Sequence, residues 1–336
     1  MPRWSGRRTS ERSRIAGHAV ALLDFAQIAG GLIALYFGAD WLVGAASTAA
    51  RRLGVSPLLV GLTVVAFGTS LPELFVGVRA ALGGHAGISL GNVVGANAIN
   101  IGLILGTAAL IRPLVVELRV LKWDLPAMLA AALLVAAMAA DGEVGRLEGA
   151  VLLAGMAGYV ALNIVLARRE RSTRALERFE AGVEPPAAAA WREAARGAGG
   201  LAALLAGAEL LIGGALAVAA AFGASEGIVG LTVVAAGTTL PELVTAVVAA
   251  ARKQGDIAFG NIIGSNIANA LAVVGTSSAI RPLPAGDLGW PAIGGMLALS
   301  FLSVPVMWRG FRVTRAEGAV LIAGYLAFLA LNVRAQ

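Results

Sequence analysis

The sequence predicts an all-α polytopic membrane protein of ten transmembrane helices, arranged as two inverted five-helix repeats. Three observations predict it. The 336 residues are 58% hydrophobic and only 14% charged, about half the charge of an ordinary soluble domain, and the mean hydropathy is +0.81. Ten stretches are apolar over the roughly 20 residues a helix needs to cross hydrocarbon. Finally, residues 60–114 align with 229–283 at a constant offset of 169, with 28 identities in 55 positions.

Composition removes several function classes. A chain this apolar is neither a soluble enzyme nor a disordered protein. The net charge of +6 does not mark a nucleic-acid binder, because the basic residues are scattered through short loops. Cysteine is absent and only His18 and His85 are present. That removes disulfides, thiolate chemistry and a His-rich zinc centre. Abundant Gly and Ala suit close helix packing in lipid, where burial from water no longer drives association.

The spans follow in order. An N-terminal basic tail (1–24) has no short apolar core followed by a small-residue cleavage site, so it does not read as a cleavable signal. The first repeat (25–167) then holds spans at 25–48, 57–82, 88–110, 124–140 and 147–167. The linker (168–198) carries Arg168, Arg169, Glu170, Arg171, Arg174, Glu177, Arg178 and Glu180, then Pro185–Pro186, and is expected to be water-exposed and part helical. The second repeat (199–336) holds spans at 199–222, 228–250, 257–279, 288–307 and 317–333.

The loops on the linker side carry 17 of the 26 Lys and Arg, against 9 on the other side. The positive-inside rule therefore places the linker in the cytoplasm. The five arginines of the N-terminal tail argue the other way. Of the 26 basic residues 24 are Arg, which with the abundant alanine suggests a GC-rich bacterial genome and hence a bacterial inner membrane.

The repeat is specific in its details. VGLTVVA (60–66) recurs unchanged at 229–235, GTSLPEL (68–74) returns as GTTLPEL (237–243), and GNVVGANAIN (91–100) as GNIIGSNIAN (260–269). Upstream, GADWLVGAA (38–46) answers GAELLIGGA (207–215). Compositional likeness between membrane helices would not put Pro, Glu, Asn and Thr at identical offsets. Five spans per repeat is an odd number, so the second copy enters the membrane from the opposite side. Transporters built this way place their substrate site near the midplane, at the repeat interface.

Of the 20 acidic residues, four fall inside spans: Asp40, Glu73, Glu209 and Glu242, in two repeat-related pairs. A carboxylate in hydrocarbon is costly and is usually functional or paired. Few intramembrane cations are on offer to pair them. Thr69, Ser70 and Glu73 lie within one helical turn, as do Thr238, Thr239 and Glu242. Pro72 and Pro241 cannot donate to the carbonyls of Gly68 and Gly237, so each helix should break or kink there and leave free oxygens. The next helix of each repeat adds Asn92, Asn97 and Asn100, or Asn261, Ser265, Asn266 and Asn269. Such a set holds oxygen only, the donor chemistry that hard cations such as Ca2+ and Na+ select. Asn92, Asn97, Asn261 and Asn266 serve equally well as interhelical glue. Asp40 and Glu209, which have no Thr/Ser/Pro setting, read as supporting hydrogen-bonding residues.

At these motifs the chain resembles the sodium/calcium exchanger family, within the calcium:cation antiporter superfamily. GTSLPE with GNVVGANAIN, and GTTLPE with GNIIGSNIAN, look like that family's two alpha repeats. The resemblance implies that Glu73 and Glu242 are the central carboxylates. Thr69, Ser70, Thr238 and Thr239 would supply hydroxyl or carbonyl oxygens, and Ala66 and Ala235 backbone carbonyls. Asn100, Asn269 and Ser265 would complete the cage. Prokaryotic members can carry Asp where this chain has Asn269, and Ser where it has Ala96, which bears on its sodium sites. Proton-coupled relatives carry a Glu near the end of the GN motif, which this chain lacks; that favours sodium as the driving ion.

The expected function is therefore exchange of Ca2+ for Na+ across the lipid bilayer by alternating access. No cofactor, nucleic acid or obligatory protein partner is expected. A proton/calcium antiporter, a passive channel and, remotely, an intramembrane hydrolase using both glutamates are the alternatives.

Overall fold

A computed structural model describes residues 7–181, 190–221, 235–285 and 288–335. The first repeat contains α1 (Arg7–Leu53), α2 (Pro57–Thr69), α3 (Leu71–Gly83), α4 (Ala86–Ile111) and α5 (Val120–Asp141). It ends in α6 (Arg146–Ala181). The second contains α7 (Ala190–Ala221), α8 (Ala235–Thr238), α9 (Leu240–Ala251), α10 (Gly255–Ile280), α11 (Gly289–Trp308) and α12 (Arg315–Ala335). The chain is an all-α, multi-pass membrane protein.

Among the described residues, eight helices are long and apolar enough to span a membrane, and α2 with α3 form a bent ninth. The short α8 and the apolar α9 are the described part of the seventh predicted span, whose residues 228–234 lie outside the described residues. Helices extend into both predicted hydrophilic segments. The first begins at Arg7, while α6 runs to Ala181 and α7 starts at Ala190. Residues 1–6 of the tail and 182–189 of the linker lie outside the described residues.

Local signals explain the boundaries. Ser56 caps α2, its side chain accepting from Leu59 N at 3.3 Å, with Pro57 in the first turn where its missing N–H costs nothing. Gly84 ends α3 at φ +87, a left-handed conformation that glycine takes without strain. Reciprocal Thr314–Glu317 bonds, 2.8 and 3.3 Å, box the start of α12.

Contacts between the repeats are two-fold. β1 (Leu114–Val115) pairs with β4 (Arg312–Val313), and β2 (Glu143–Val144) with β3 (Leu283–Pro284). Both pairs are antiparallel, with Leu114 opposite Val313 and Val144 opposite Leu283. Adding 169 to one member and subtracting it from the other converts each pair into its mate. The glycine contacts obey the same exchange. A Cβ on Gly106 would lie 2.7 Å from the Gly318 carbonyl, and one on Gly149 would lie 2.8 Å from that of Gly275. Along α1 and α7, Gly31 meets Gly207 and Gly38 meets Gly200, so these helices run antiparallel with backbones in contact. Antiparallel pairing of equivalent helices is what an axis lying in the membrane plane requires.

At the centre lies α10, almost wholly buried, with α4 mostly so. Glycine sets how deeply α10 sits. A Cβ on Gly260 would lie 2.5 Å from the Leu58 carbonyl, and one on Gly264 would lie 2.5 Å from that of Leu62. Any side chain there would push α10 off α2.

Candidate cation site

The second predicted span breaks where Gly and Pro predict it. α2 ends at Thr69, Ser70 leaves helical geometry at φ −81, ψ 6, and α3 departs at 41°. Pro72 thus falls in the first turn of α3, where its missing donor is harmless. The mirror break lies at Thr239, φ −90, ψ 2, with Pro241 in the first turn of α9. Each glutamate follows its break directly. Glu73 opens α3 and Glu242 opens α9, so the positive ends of both half-helices offset part of the cost of two buried carboxylates.

Both glutamates are fully buried and close enough to each other to interact as charges. Neither has an ion-pair partner among the described residues. Both carboxylate oxygens of Glu73 and Glu242 Oε2 find no hydrogen-bond donor there. Glu242 Oε1 accepts from Ser70 Oγ at 3.3 Å. Ser265 Oγ reaches the Ala66 carbonyl at 3.5 Å, because Gly264 lets α10 meet α2 backbone to backbone. Ser265 and Thr69 also lie beside Glu242.

Asn100 and Asn269 both begin or fall within π-helical turns, Ile99–Ile104 and Asn269–Val273. Such turns widen a helix locally and occur often at functional sites. Among the described residues, both side-chain atoms of Asn100 are buried without a partner, as is Asn269 Oδ1. Asn269 Nδ2 donates to Asn97 Oδ1 at 3.2 Å, and Asn97 Nδ2 donates to the Asn266 carbonyl at 3.3 Å. This asparagine pair ties α4 to α10 near the pseudo-two-fold.

The structure thus gathers Glu73, Glu242, Ser70, Thr69, Ser265 and the Ala66 carbonyl around one buried point. Thr239 is buried at the mirror break, and Thr238 closes α8. Ala235 opens α8; its side chain lies outside the described residues. Among the described residues no group of three or more His, Cys, Asp or Glu exists. Two carboxylates within neutral oxygens are therefore the whole acidic content of the site.

Several features were missed by reading the sequence. Thr69 Oγ1 donates to Asn261 Oδ1 at 3.0 Å and Thr238 Oγ1 to Asn92 Oδ1 at 3.3 Å. Each hydroxyl expected to face the ion thus also anchors across the repeat boundary. The recurrence of Asn92 and Asn261 at one offset was the available signal. Thr245, one turn beyond Glu242, is buried, its hydroxyl unpartnered among the described residues. Asp40 does have a cation: Arg252, just past the end of α9, pairs with it. The sequence reading, which found few intramembrane cations on offer, did not identify this partner. Arg252 lies beyond its own span and reaches Asp40 only through tertiary packing. Glu209, the repeat mate of Asp40, lines an apolar crevice between α3 and α7 with a volume of about 680 Å3. In the first repeat a further buried cluster joins Asp124, Arg119 and Tyr159. Tyr159 donates to Asp124 Oδ1 at 3.0 Å, and Arg119 Nε lies 3.6 Å from Asp124 Oδ2.

Comparison with known proteins agrees with this architecture. The profile of the family described as "Sodium/calcium exchanger protein" matches residues 23–165 and 196–334. The chain is 35% identical over 319 residues to the inner membrane protein YrbG of Escherichia coli strain K12, covering 92% of this chain and 97% of that protein. It is 33% identical over 340 residues to the sodium/calcium exchanger MaX1 of Methanosarcina acetivorans, covering 89% and 95%. Among solved structures, the sodium-calcium exchanger NCX_Mj soaked with 2.5 mM Na+ and 10 mM Sr2+ superimposes with a TM-score of 0.81 at 32% identity, covering 92% of this chain and 99% of that one. With both repeats matched by the family profile and relatives aligned nearly end to end, the chain belongs to the sodium/calcium exchanger family.

Proposed function

We propose that this protein is a secondary antiporter exchanging Ca2+ for Na+ by alternating access. Glu73 and Glu242 hold the transported ion, and Thr69, Ser70, Thr238, Thr239, Asn100, Asn269, Ser265 and the carbonyls of Ala66 and Ala235 supply neutral oxygens. The observation that carries the reading is the pair of neighbouring, fully buried glutamates. Three of their four oxygens lack a donor among the described residues. A buried carboxylate left without hydrogen bonds or counter-charge costs several kcal/mol or more. A cation ligated by those oxygens removes that cost.

The same cost explains exchange rather than one-way flux. A site with two negative charges cannot cheaply cross the occluded state bare. One Ca2+ balances both carboxylates, and Na+ ions can replace it on the same oxygens. Each passage therefore requires a cation, and uptake of one ion is tied to release of the other. MaX1 is named a sodium/calcium exchanger, and NCX_Mj was soaked with Na+ and Sr2+, in keeping with this pairing. The α1–α7 pair, joined by glycine contacts, slides against the helices bearing the site. The linker faces the cytoplasm of a bacterial inner membrane. No cofactor or bond cleavage enters the cycle, so the protein is not an enzyme.

Isotope calcium uptake into proteoliposomes, with sodium, potassium or proton gradients imposed in turn, tests the reading. Uptake should follow the outward sodium gradient and be indifferent to potassium. Uptake driven by a pH gradient without sodium would replace sodium by protons as the counter-ion. Flux with no counter-ion dependence would make the protein a channel.

A further inference from the structure

The two-fold that relates the repeats is not obeyed at every contact. At the linker end, α1 packs along α9, and Arg252, just past the end of α9, pairs with Asp40 of α1. The mirror contact, between α7 and α3, is open: the apolar crevice of about 680 Å3 separates these two helices. It reaches Gly237 and Thr238 at the second break, and Thr238 lies beside Glu73. Equivalent positions differ in burial accordingly. Glu209 is exposed, whereas its repeat mate Asp40 is 14% exposed. Phe75 is 63% exposed, and its mate Val244 is half-buried. Ile212 lines the crevice, and its mate Val43 is fully buried.

The sequence carries the same asymmetry. The repeat mate of Arg252 is Gly83, so the mirror position holds no cation, and no described ion pair includes Glu209. A carboxylate at membrane depth is stabilised by a partner of opposite charge, and of these two mates Asp40 has one. Asp40 sits on α1, a member of the glycine-packed pair, while Arg252 follows the half-helix that opens with Glu242. The ion pair thus bridges the two parts of the molecule that must separate before the linker side can open.

We infer that the Asp40–Arg252 ion pair is a latch that holds the linker side of the transport path shut, in a conformation open to the opposite side between α3 and α7. This rests on the alternating-access reading above. Opening toward the linker takes α1 off α9 and breaks the pair. Deleting the pair destabilises the latched conformation alone, and so raises the population of the other. With Arg252 43% exposed, the pair contributes only modestly to stability, as suits a contact that breaks in every cycle.

The chain contains no cysteine, so V43C places a single thiol at the closed interface and I212C a single thiol at the open crevice. Each is introduced into the full-length protein, purified in neutral detergent and reacted with a water-soluble maleimide. I212C should react fast and V43C slowly. In D40N the V43C rate should rise about fivefold, the population shift that loss of a part-exposed ion pair produces, and in R252Q at least as much. R252K, which keeps the charge, should hold the rate below that of R252Q. E209Q breaks no described ion pair and should leave it unchanged. An unchanged V43C rate in both D40N and R252Q, a rise in R252K equal to that in R252Q, or an equal rise in E209Q overturns the latch. Should the variants not fold, ionic strength raised with choline chloride decides. Screening weakens the pair, so V43C should quicken relative to I212C, and a constant ratio refutes the latch. Labelling needs no ion gradient, so a failed latch leaves the calcium-uptake result standing, and failed exchange leaves the labelling readable.

Discussion

The hydroxyl of Ser70, in the first repeat, donates to the carboxylate of Glu242, in the second, across 3.3 Å. The surroundings of the buried glutamates are therefore built by both halves of the chain. The Thr69–Asn261 and Thr238–Asn92 bonds state the same relation twice more.

Replacing either glutamate by glutamine should disable transport while sparing the fold. Gln keeps the shape but removes the charge, and it relieves the mutual repulsion of two buried carboxylates. Loss of one charged ligand contact is worth about 1.5–3 kcal/mol, so calcium affinity should fall roughly 10- to 150-fold. Flux and thermal stability measured on E73Q and E242Q check this. Near-normal calcium exchange in either variant would remove the glutamates from the site.

Asn100 and Asn269 should separate function from stability. Asn100 has both side-chain atoms unpartnered among the described residues, so N100A forfeits no internal hydrogen bond. Its unfolding free energy should stay within about 1 kcal/mol of wild type, because removing an unpartnered buried amide offsets the cavity it leaves, while calcium affinity drops about tenfold through loss of one neutral ligand. N269A also breaks the bond to Asn97 and should cost about 1 kcal/mol more in stability. Parallel unfolding and flux measurements distinguish the two.

Glycine substitutions along α1 and α7 should follow the two-fold. A Cβ on Gly38 would lie 2.7 Å from Leu204 N, and one on Gly207 would lie 2.8 Å from Leu35 N. Both neighbours are backbone, so the helices must part. G38A and G207A should each destabilise by about 1–3 kcal/mol. G30A is the control, since nothing lies within 4 Å of its Cβ position. A G38A protein as stable as G30A would contradict the packing.

The Asp40–Arg252 pair should respond unequally to its two deletions. Asp40 is 14% exposed and Arg252 43%. D40N leaves a cation that water can reach, and should cost no more than about 1 kcal/mol. R252Q strands the more buried carboxylate and should cost more, by about 1–3 kcal/mol. Thermal unfolding of the two single variants reads the difference directly.

The sequence by itself determined the apolar, multi-pass character, the repeat and the two fully buried glutamates, Glu73 and Glu242, but not the burial of Asp124 nor the exposure of Glu209. Apolar length, Gly–Pro punctuation and a fixed offset of 169 are local or self-referential signals, and the breaks at Ser70 and Thr239 came out where proline placed them. Only the tertiary structure decided which oxygen meets which. The Arg252 partner of Asp40, the Thr–Asn anchors, the π-helical turns at Asn100 and Asn269, and the crossed strand pairs all join residues far apart in sequence or depend on packing. Backbone-to-backbone contact through Gly260 and Gly264 brings α10 onto α2, and that contact sets the distance from Ser265 to Ala66. Periodicity along one helix records which face is apolar. It carries no record of how closely another helix can approach that face, and in lipid that approach is fixed by the fit between the two surfaces.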